Sequence, residues 1–563
     1  TGCCASDSEP VSEDGEAGDG WCDVIGTSLV AAAAAERGGA NRCWCLDAGL
    51  VLPRLELMLT VRRIVMKDQV AATGITQYYS VPGITDADLT ALTVGANILG
   101  GLASSRLDNI LVRDEQLAVG VSAGNFAYQR VGILSIGATV KPGVDPATVE
   151  QRLNEILEAY IAEGPTEDEV RRSATSNLAG TIRGLEQVGG FGGKAVTLAQ
   201  GEVLAGDPGF FERQFEILAT LTPEDVKAAM QKWLTRPALT VVLEPGEREG
   251  EYEEAASVGG SDGGDAGEAA ESEITVTEVR PAPEIAQASA LDFPDVTETT
   301  LSNGINVYYA QRDAVPATRV SISFDAGGAA DPADKQGLEG LTLGLMDEAT
   351  TSLTARELAE AQERLGANIS IGGGTDRSTF TLSALTANLQ PSLSLLSDVV
   401  RNPAFNDGDI ERVRAQTITG IEQSLKSPSG IAQRTLRPLV YGASNAYGGI
   451  STVESVGALT RDDLVEFKNT WLRPDNAQVF VVSDLALSEV MPQLEAAFGN
   501  WQAPATAKGV KAFDNLAAAP EAARIVLVNR PNSPQSFILG GQITPASGSD
   551  PAINDLINAN NAL

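Results

Sequence analysis

The sequence predicts an α+β protein built from repeated homologous domains. Two observations carry this. The stretch "LTPEDVKAAMQKWLTRPALTVVLEP", from Leu221, matches "LTRDDLVEFKNTWLRPDNAQVFVVSD", from Leu459, with Leu221 on Leu459 and Trp233 on Trp471 at one offset. Between the copies, residues 246–290 are acidic, rich in Gly and Ala and poor in large apolar side chains, the composition of a solvated linker. At 563 residues the chain is too long for one core, so several compact units are expected.

Residues 1–60 are unassigned. All five cysteines lie there: Cys3, Cys4, Cys22, Cys43 and Cys45. Cys43 and Cys45 leave one residue between them, where zinc knuckles use two or more. The acidic, Gly-rich text "SDSEPVSEDGEAGDG" reads as a disordered or foreign segment, with a disulfide or metal site as the weaker alternative.

Residues 61–245 form the first α+β unit. Helices are expected near 86–99, 104–117, 146–163, 166–186 and 223–234, and strands near 119–125, 131–140 and 239–243. Thr166 and Glu169 form a capping box. Thr222, Pro223 and Asp225 make a second helix start, and Thr460 with Asp463 repeats it. Residues 291–505 form the second unit. "VSISFDAGG" alternates like a strand, and the helical spacing that begins at Thr354 closes at Gly366. Residues 522–563 begin a third. Their "SGSDPAINDLINANNAL" matches "ITDADLTALTVGANIL", with Asp86 on Asp550, Leu92 on Leu556 and Asn97 on Asn561. The first copy continues and the second stops, so the chain is expected to end inside a domain.

Composition excludes several functions. A net charge of −35 and a pI near 4.3 argue against nucleic acid and against a polybasic membrane anchor. No apolar run reaches the roughly 18 residues of a membrane span, and no signal peptide is visible. Histidine is absent, which excludes a Ser-His-Asp triad, a Cys-His dyad and His-ligated zinc supplied by this chain.

Several segments point to a family. "ILGGLASSRLDNILVRDEQLAVGVSA", "EGPTEDEVRRSATSNLAG" and "LTPEDVKAAM" in the first unit resemble the pitrilysin/insulinase-type zinc peptidases. So do "LSNGINVYY", "VSISFDAGGAADPADKQGLEGLTLGLMDEAT" and "LGANISIGGGTDRSTFTLSALTANLQPSLSLLSDVVRNPAF" in the second. The resemblance implies domains that are mainly antiparallel sheets packed with helices, two per half, the halves closing like a clamshell around a peptide. In the family an H-x-x-E-H helix supplies two zinc ligands and a general base.

Aligned on that motif, "GLEGLTLGLM" places Gly340 and Gly344 at the histidines and Leu343 at the glutamate; the third ligand falls near Gly420 to Glu422. Residues 291–505 therefore resemble the first domain of the non-catalytic half, and 61–245 the second domain of the catalytic half. The resemblance implies a zinc metalloendopeptidase lacking its H-x-x-E-H domain and the end of its last domain. This chain alone is expected to be inactive, with no cofactor of its own, although the full-length family uses zinc. The alternative is a non-catalytic subunit or scaffold that pairs with an active zinc peptidase subunit. Expected partners are peptide substrates in the intact parent, a catalytic subunit or a homodimer, with neither nucleic acid nor a membrane span. A periplasmic location is expected by analogy with bacterial relatives, with cytoplasmic as the alternative.

Other segments have plainer readings. Ser104 or Ser105 is expected to cap a helix and Arg106 to make a structural ion pair. "GGFGGKA" (189–195) is expected to be a flexible loop and "IGGGTDRST" (371–379) a strand turn. Trp233 and Trp471, repeated in register, are expected in the core, as are Leu338, Leu341 and Leu345 at helical spacing.

Overall fold

The strand that follows each tryptophan helix lies inside a sheet, parallel to one neighbour and antiparallel to the other, and this shared topology makes the two regions alike. The computed structural model describes residues 62–247 except 191, and residues 293–562 except 515, 518–521, 532, 534, 535 and 545. The cysteines and nearly all of the acidic linker lie outside the described residues.

The first region runs β1 Arg62–Asp68, β2 Gly74–Pro82, α1 Asp88–Ala96, β3 Ala118–Ala127, β4 Val131–Val140, α2 Pro146–Glu163, α3 Glu167–Gly184, α4 Lys194–Gln200, α5 Phe210–Thr220, α6 Pro223–Leu234 and β5 Leu239–Pro245. Local chemistry sets the starts of its longer helices. Asp145 accepts from the Ala147 amide, with Pro146 in the first turn of α2. Thr166 with Glu169 and Thr222 with Asp225 close reciprocal capping boxes on α3 and α6. Val149, Leu153, Ile156, Leu157 and Tyr160 recur at helical spacing along α2 and are buried on the sheet. The sheet order is β1-β5-β2-β4-β3, with β1 parallel to β5 and the other pairs antiparallel. Gly95 lets α1 approach α6 closely: a Cβ there would lie 2.6 Å from Met230 Sδ.

The second region runs β6 Val296–Thr300, β7 Asn306–Gln311, β8 Ala317–Phe324, α7 Leu338–Leu343, α8 Ala355–Leu365, β9 Asn368–Gly373, β10 Ser378–Leu385, α9 Leu389–Arg401, α10 Asp407–Lys426, α11 Pro428–Tyr441, α12 Val453–Ala458, α13 Arg461–Trp471, β11 Ala477–Ser483 and α14 Leu487–Phe498. Its sheet order is β6-β7-β11-β8-β10-β9. β11 pairs parallel with β7 and antiparallel with β8, as β5 pairs with β1 and β2. With β6 set aside, the two sheets have the same strand order, so the sequence repeat is a repeat of topology. Phe324, Phe380 and Trp501 meet edge to face in its core.

Two expectations are corrected. Strands β1 and β2 and helices α4 and α5 were not anticipated, because β1 is exposed at its start and α4 and α5 bury no residue fully. The helix expected over 86–99 is α-helical only to Ala96, then widens into a π-helical turn, Asn97–Gly101. The third unit forms no strand among its described residues. "RIVLV" (524–528) and "FILGG" (537–541) carry strand-like text but have no ladder partners, and the first regular element is α15, Ile553–Ala562.

The two described regions belong to one compact unit. α8 packs on α3, where a Cβ on Gly366 would lie 2.8 Å from Ala179 Cβ. Gln423 of α10 accepts from the Ala71 amide at 2.8 Å, and Gln416 donates to the Val119 carbonyl at 2.8 Å. No helix of the described residues is long and apolar enough to cross a membrane.

Candidate functional site

Helix α7 is short because glycines bound it. Gly337, at φ +95°, precedes it, a conformation few other residues accept. In place of a side-chain cap, the Asp331 carboxylate accepts from the Gly337 and Glu339 amides, each at 2.8 Å. Gly344 ends the helix. Leu338 and Leu341 are buried, as is Leu345 in the turn that follows, in line with their spacing.

The three motif positions divide between two environments. Gly340 and Gly344, one turn apart, are exposed on the outer side of α7. A Cβ on Gly340 would meet nothing within 4 Å, and one on Gly344 would touch Val413 Cγ1 of α10 at 3.4 Å. Leu343 is buried in the core. Glu422 is half-buried on α10, nine residues beyond Val413, or about 13 Å along the helix axis; Gly420 is exposed beside it.

A zinc site of the H-x-x-E-H kind needs donor atoms on one helix face. Glycine has no side-chain donor, and Leu343 offers a buried methyl group. Among the described residues, no group of three or more His, Cys, Asp or Glu side chains is placed to hold a metal ion. The described residues at the motif positions do not fit zinc.

The buried electrostatics lie beside these positions, on residues the motif alignment did not single out. The Glu339 carboxylate accepts from Ser378 Oγ at 2.8 Å, and burial raises its pKa. A Cβ on Gly373 would lie 2.1 Å from Glu339 Oε1, so the carboxylate occupies the space a side chain would need. Burial pushes Asp331 up to about 7 against the opposing pull of its two amides. Farther along, Glu348 receives Arg113 of the first region and Arg412 of α10, each at 2.6 Å. Glu363 of α8 receives the Ser104 amide and hydroxyl, at 3.1 and 2.5 Å, and also the Arg172 guanidinium. Of these groups, only Glu339 and Glu363 lie in helices, where an acidic residue at a buried helical position is the sequence signal.

The plainer readings fare unevenly. Arg106 makes a bidentate ion pair with Glu169, both contacts at 2.8 Å, and lies 4.7 Å over the Tyr160 ring. Ser104 is not a cap, since its hydroxyl goes to Glu363. Residues 374–377 form the tight turn between β9 and β10. Trp471 is buried; Trp233 packs against the first core but is only partly buried, donates Nε1 to Asp88 at 2.9 Å and lines an open cleft of 660 Å³ with Gly83, Asp86 and Arg130.

Fold and site together define a class: an α+β protein of metallopeptidase type whose would-be metal helix carries no donor at the motif positions. Comparison with known proteins gives the family. The family model described as "Peptidase M16 inactive domain" matches residues 58–177 and 458–558, and "Insulinase (Peptidase family M16)" matches 307–445. The chain belongs to the insulinase (M16) peptidase family.

It is similar to an uncharacterized zinc protease YmxG of Bacillus subtilis (20% identity, 38% of this chain, 52% of that protein). It is also similar to a non-peptidase homolog YmxG of Helicobacter pylori (22%, 38% and 48%). A third relative is a probable mitochondrial-processing peptidase subunit beta of Arabidopsis thaliana (20%, 37% and 39%). The chain spans about half or less of the length of these relatives. Among solved structures it is similar to a peptidase M16 inactive domain from Pseudomonas fluorescens (22% identity, TM-score 0.37, 40% of this chain and 55% of that one).

Proposed function

We propose that this chain supplies the non-catalytic walls of a zinc endopeptidase, enclosing polypeptide, while an H-x-x-E-H domain supplies the chemistry. That domain belongs either to a longer form of the chain or to a partner subunit. On this reading residues 61–245 are the second domain of the catalytic half, 291–505 the first domain of the non-catalytic half, and 522–563 the start of a further domain. The observation that carries the reading is the state of α7: Gly340 and Gly344 lack side chains on its open face, and Leu343 is committed to the core. A retained fold with a blank motif is what a wall needs and what a hydrolase cannot use. Relatives named as a non-peptidase homolog and as a processing-peptidase subunit agree with it.

The test is zinc titration of the purified chain by calorimetry, together with hydrolysis of a quenched fluorescent peptide library. The reading expects no stoichiometric zinc, no hydrolysis by the chain alone, and hydrolysis when an H-x-x-E-H subunit from the same source is added. Chelator-sensitive hydrolysis by the chain alone would refute it.

A further inference from the structure

We propose that the open face of the first sheet docks an extended polypeptide that presents both apolar side chains and acidic groups. The opposite face carries the helices. There Ile75, Tyr79, Val81, Leu134, Ile136 and Val242 are buried against α1, α2 and α6. An antiparallel sheet with one free face ordinarily turns polar side chains outward; this one mixes Thr76, Ser80, Ser122, Ser135 and Thr139 with a set of large apolar side chains. Register places Leu239 beside Tyr78, and Ile133 between Ser80 and Phe126. Ile64 stands across from Val241 at the β1 edge, and Tyr128 meets Phe126 edge to face at 4.9 Å. Ile64, Leu239, Tyr78, Ile133, Val131 and Phe126 are all exposed, Phe126 at 64%. They spread over all five strands, and contiguous exposed apolar surface of this kind marks an interaction site.

The charges identify the partner. Along the strands, this face carries no charged side chain except Arg62 and Asp68 at the two ends of β1. Arg130 sits in the turn that joins β3 to β4, next to Val131. Neither Arg62 nor Arg130 has an ion-pair partner among the described residues. At physiological ionic strength the Debye length is about 8 Å. A ligand on this face therefore feels these arginines more than the net charge of −35. A polypeptide with alternating apolar and acidic residues satisfies both features. The second sheet differs in charge: its open side holds Phe480, stacked on Tyr308 at 5.1 Å, but also Arg319 within a strand.

This deepens the reading of the chain as a wall around polypeptide. The test needs no hydrolysis, so its failure leaves the zinc argument untouched.

The full chain is titrated by fluorescence anisotropy, at physiological salt, with three labelled twelve-residue peptides. One alternates Leu with Glu, one Leu with Lys, and one Ser with Glu. The expected result is saturable binding of the Leu/Glu peptide and at least tenfold weaker binding of the other two. The exposed double variant Phe126→Ser/Ile133→Ser, and separately Arg130→Glu, should each weaken Leu/Glu binding about tenfold. Phe480→Ser should leave it unchanged, and urea midpoints should confirm that all variants fold. Equal binding of the three peptides, or full binding by the double variant, overturns the proposal. Sedimentation that shows a dimer abolished by Phe126→Ser/Ile133→Ser also overturns it and gives the face to a second copy.

Discussion

Arg172 of α3 and Glu363 of α8 form an ion pair across the boundary between the two sheet-bearing regions, and both are nearly fully buried. Glu363 also takes the Ser104 hydroxyl. Arg172 reaches Asp168 at 2.8 Å, and Arg364 holds Asp168 from the other side at 2.9 Å. Arg364 is the main cause that keeps the Asp168 carboxyl well below the usual range, with Arg172 and Arg171 adding to it. Breaking one side of a buried pair strands the other charge. Glu363→Gln is therefore expected to cost about 3–5 kcal/mol in urea unfolding. The double variant Arg172→Met/Glu363→Leu should cost clearly less than the sum of Arg172→Met and Glu363→Leu. Strict additivity would mean the pair is not coupled.

Gly340 is an exposed helical glycine with open space around it. Gly340→Ala is expected to stabilise the chain by about 0.5–1 kcal/mol, since the helix gains and nothing clashes. Leu343→Glu, three residues on, places a carboxylate in the core and is expected to cost roughly 2–5 kcal/mol. A pair of thermal melts distinguishes the two. Similar effects at both positions would contradict the placement of one outside and the other inside.

Gly373 and Glu339 compete for one space. Gly373→Ala alone is expected to cost about 1–3 kcal/mol, because its Cβ would overlap the Glu339 carboxylate. In a Glu339→Ala background the same change should cost less than half as much. The interaction energy of this double-mutant cycle is the readout, and a value near zero would remove the steric claim.

Asp331 gives stability a distinct pH dependence. Its folded pKa, about 7, lies above the ordinary aspartate value, so between pH 4 and 7 the folded state holds a proton the unfolded chain has released. Its contribution is fully present below pH 4 and is lost as pH rises through 7. Glu339 shifts in the same direction. Asp331→Asn carries a fixed cost from its imperfect match to two amide donors, but no such slope. Urea midpoints at pH 4.5 and 7.5 should therefore fall further for the parent than for Asp331→Asn. Parallel midpoints would show that Asp331 is ionised throughout.

The repeat around Trp233 and Trp471 was legible because capping boxes, a helix and a β-branched strand follow one another within a few turns. Gly340, Leu343 and Gly344 could be placed at the motif positions only through the resemblance to the H-x-x-E-H helix. Their division between surface and core could not be read even so, because a six-residue helix that ends at Gly344 is set by Asp331 and Gly337, outside the motif. Glu339, Glu348 and Glu363 escaped the sequence for a related reason. Each is an ordinary acidic residue until a partner as distant as Ser104 or Arg113 is folded against it. β1 was missed because an edge strand open on both sides at its start shows no alternation.

The parallel pairing of β1 with β5 has a consequence for synthesis. Arg62 and Leu239, register partners, lie roughly 180 residues apart. At about 5–20 residues per second, β1 emerges from the ribosome tens of seconds at most before its neighbour exists, and at least several. During that interval Ile64 and Val65 form an unpaired apolar edge. β7 waits almost as long for β11. The nascent chain thus carries each open edge until the tryptophan helix has been made, and a holdase that shields β1 would be needed early and be displaced by β5.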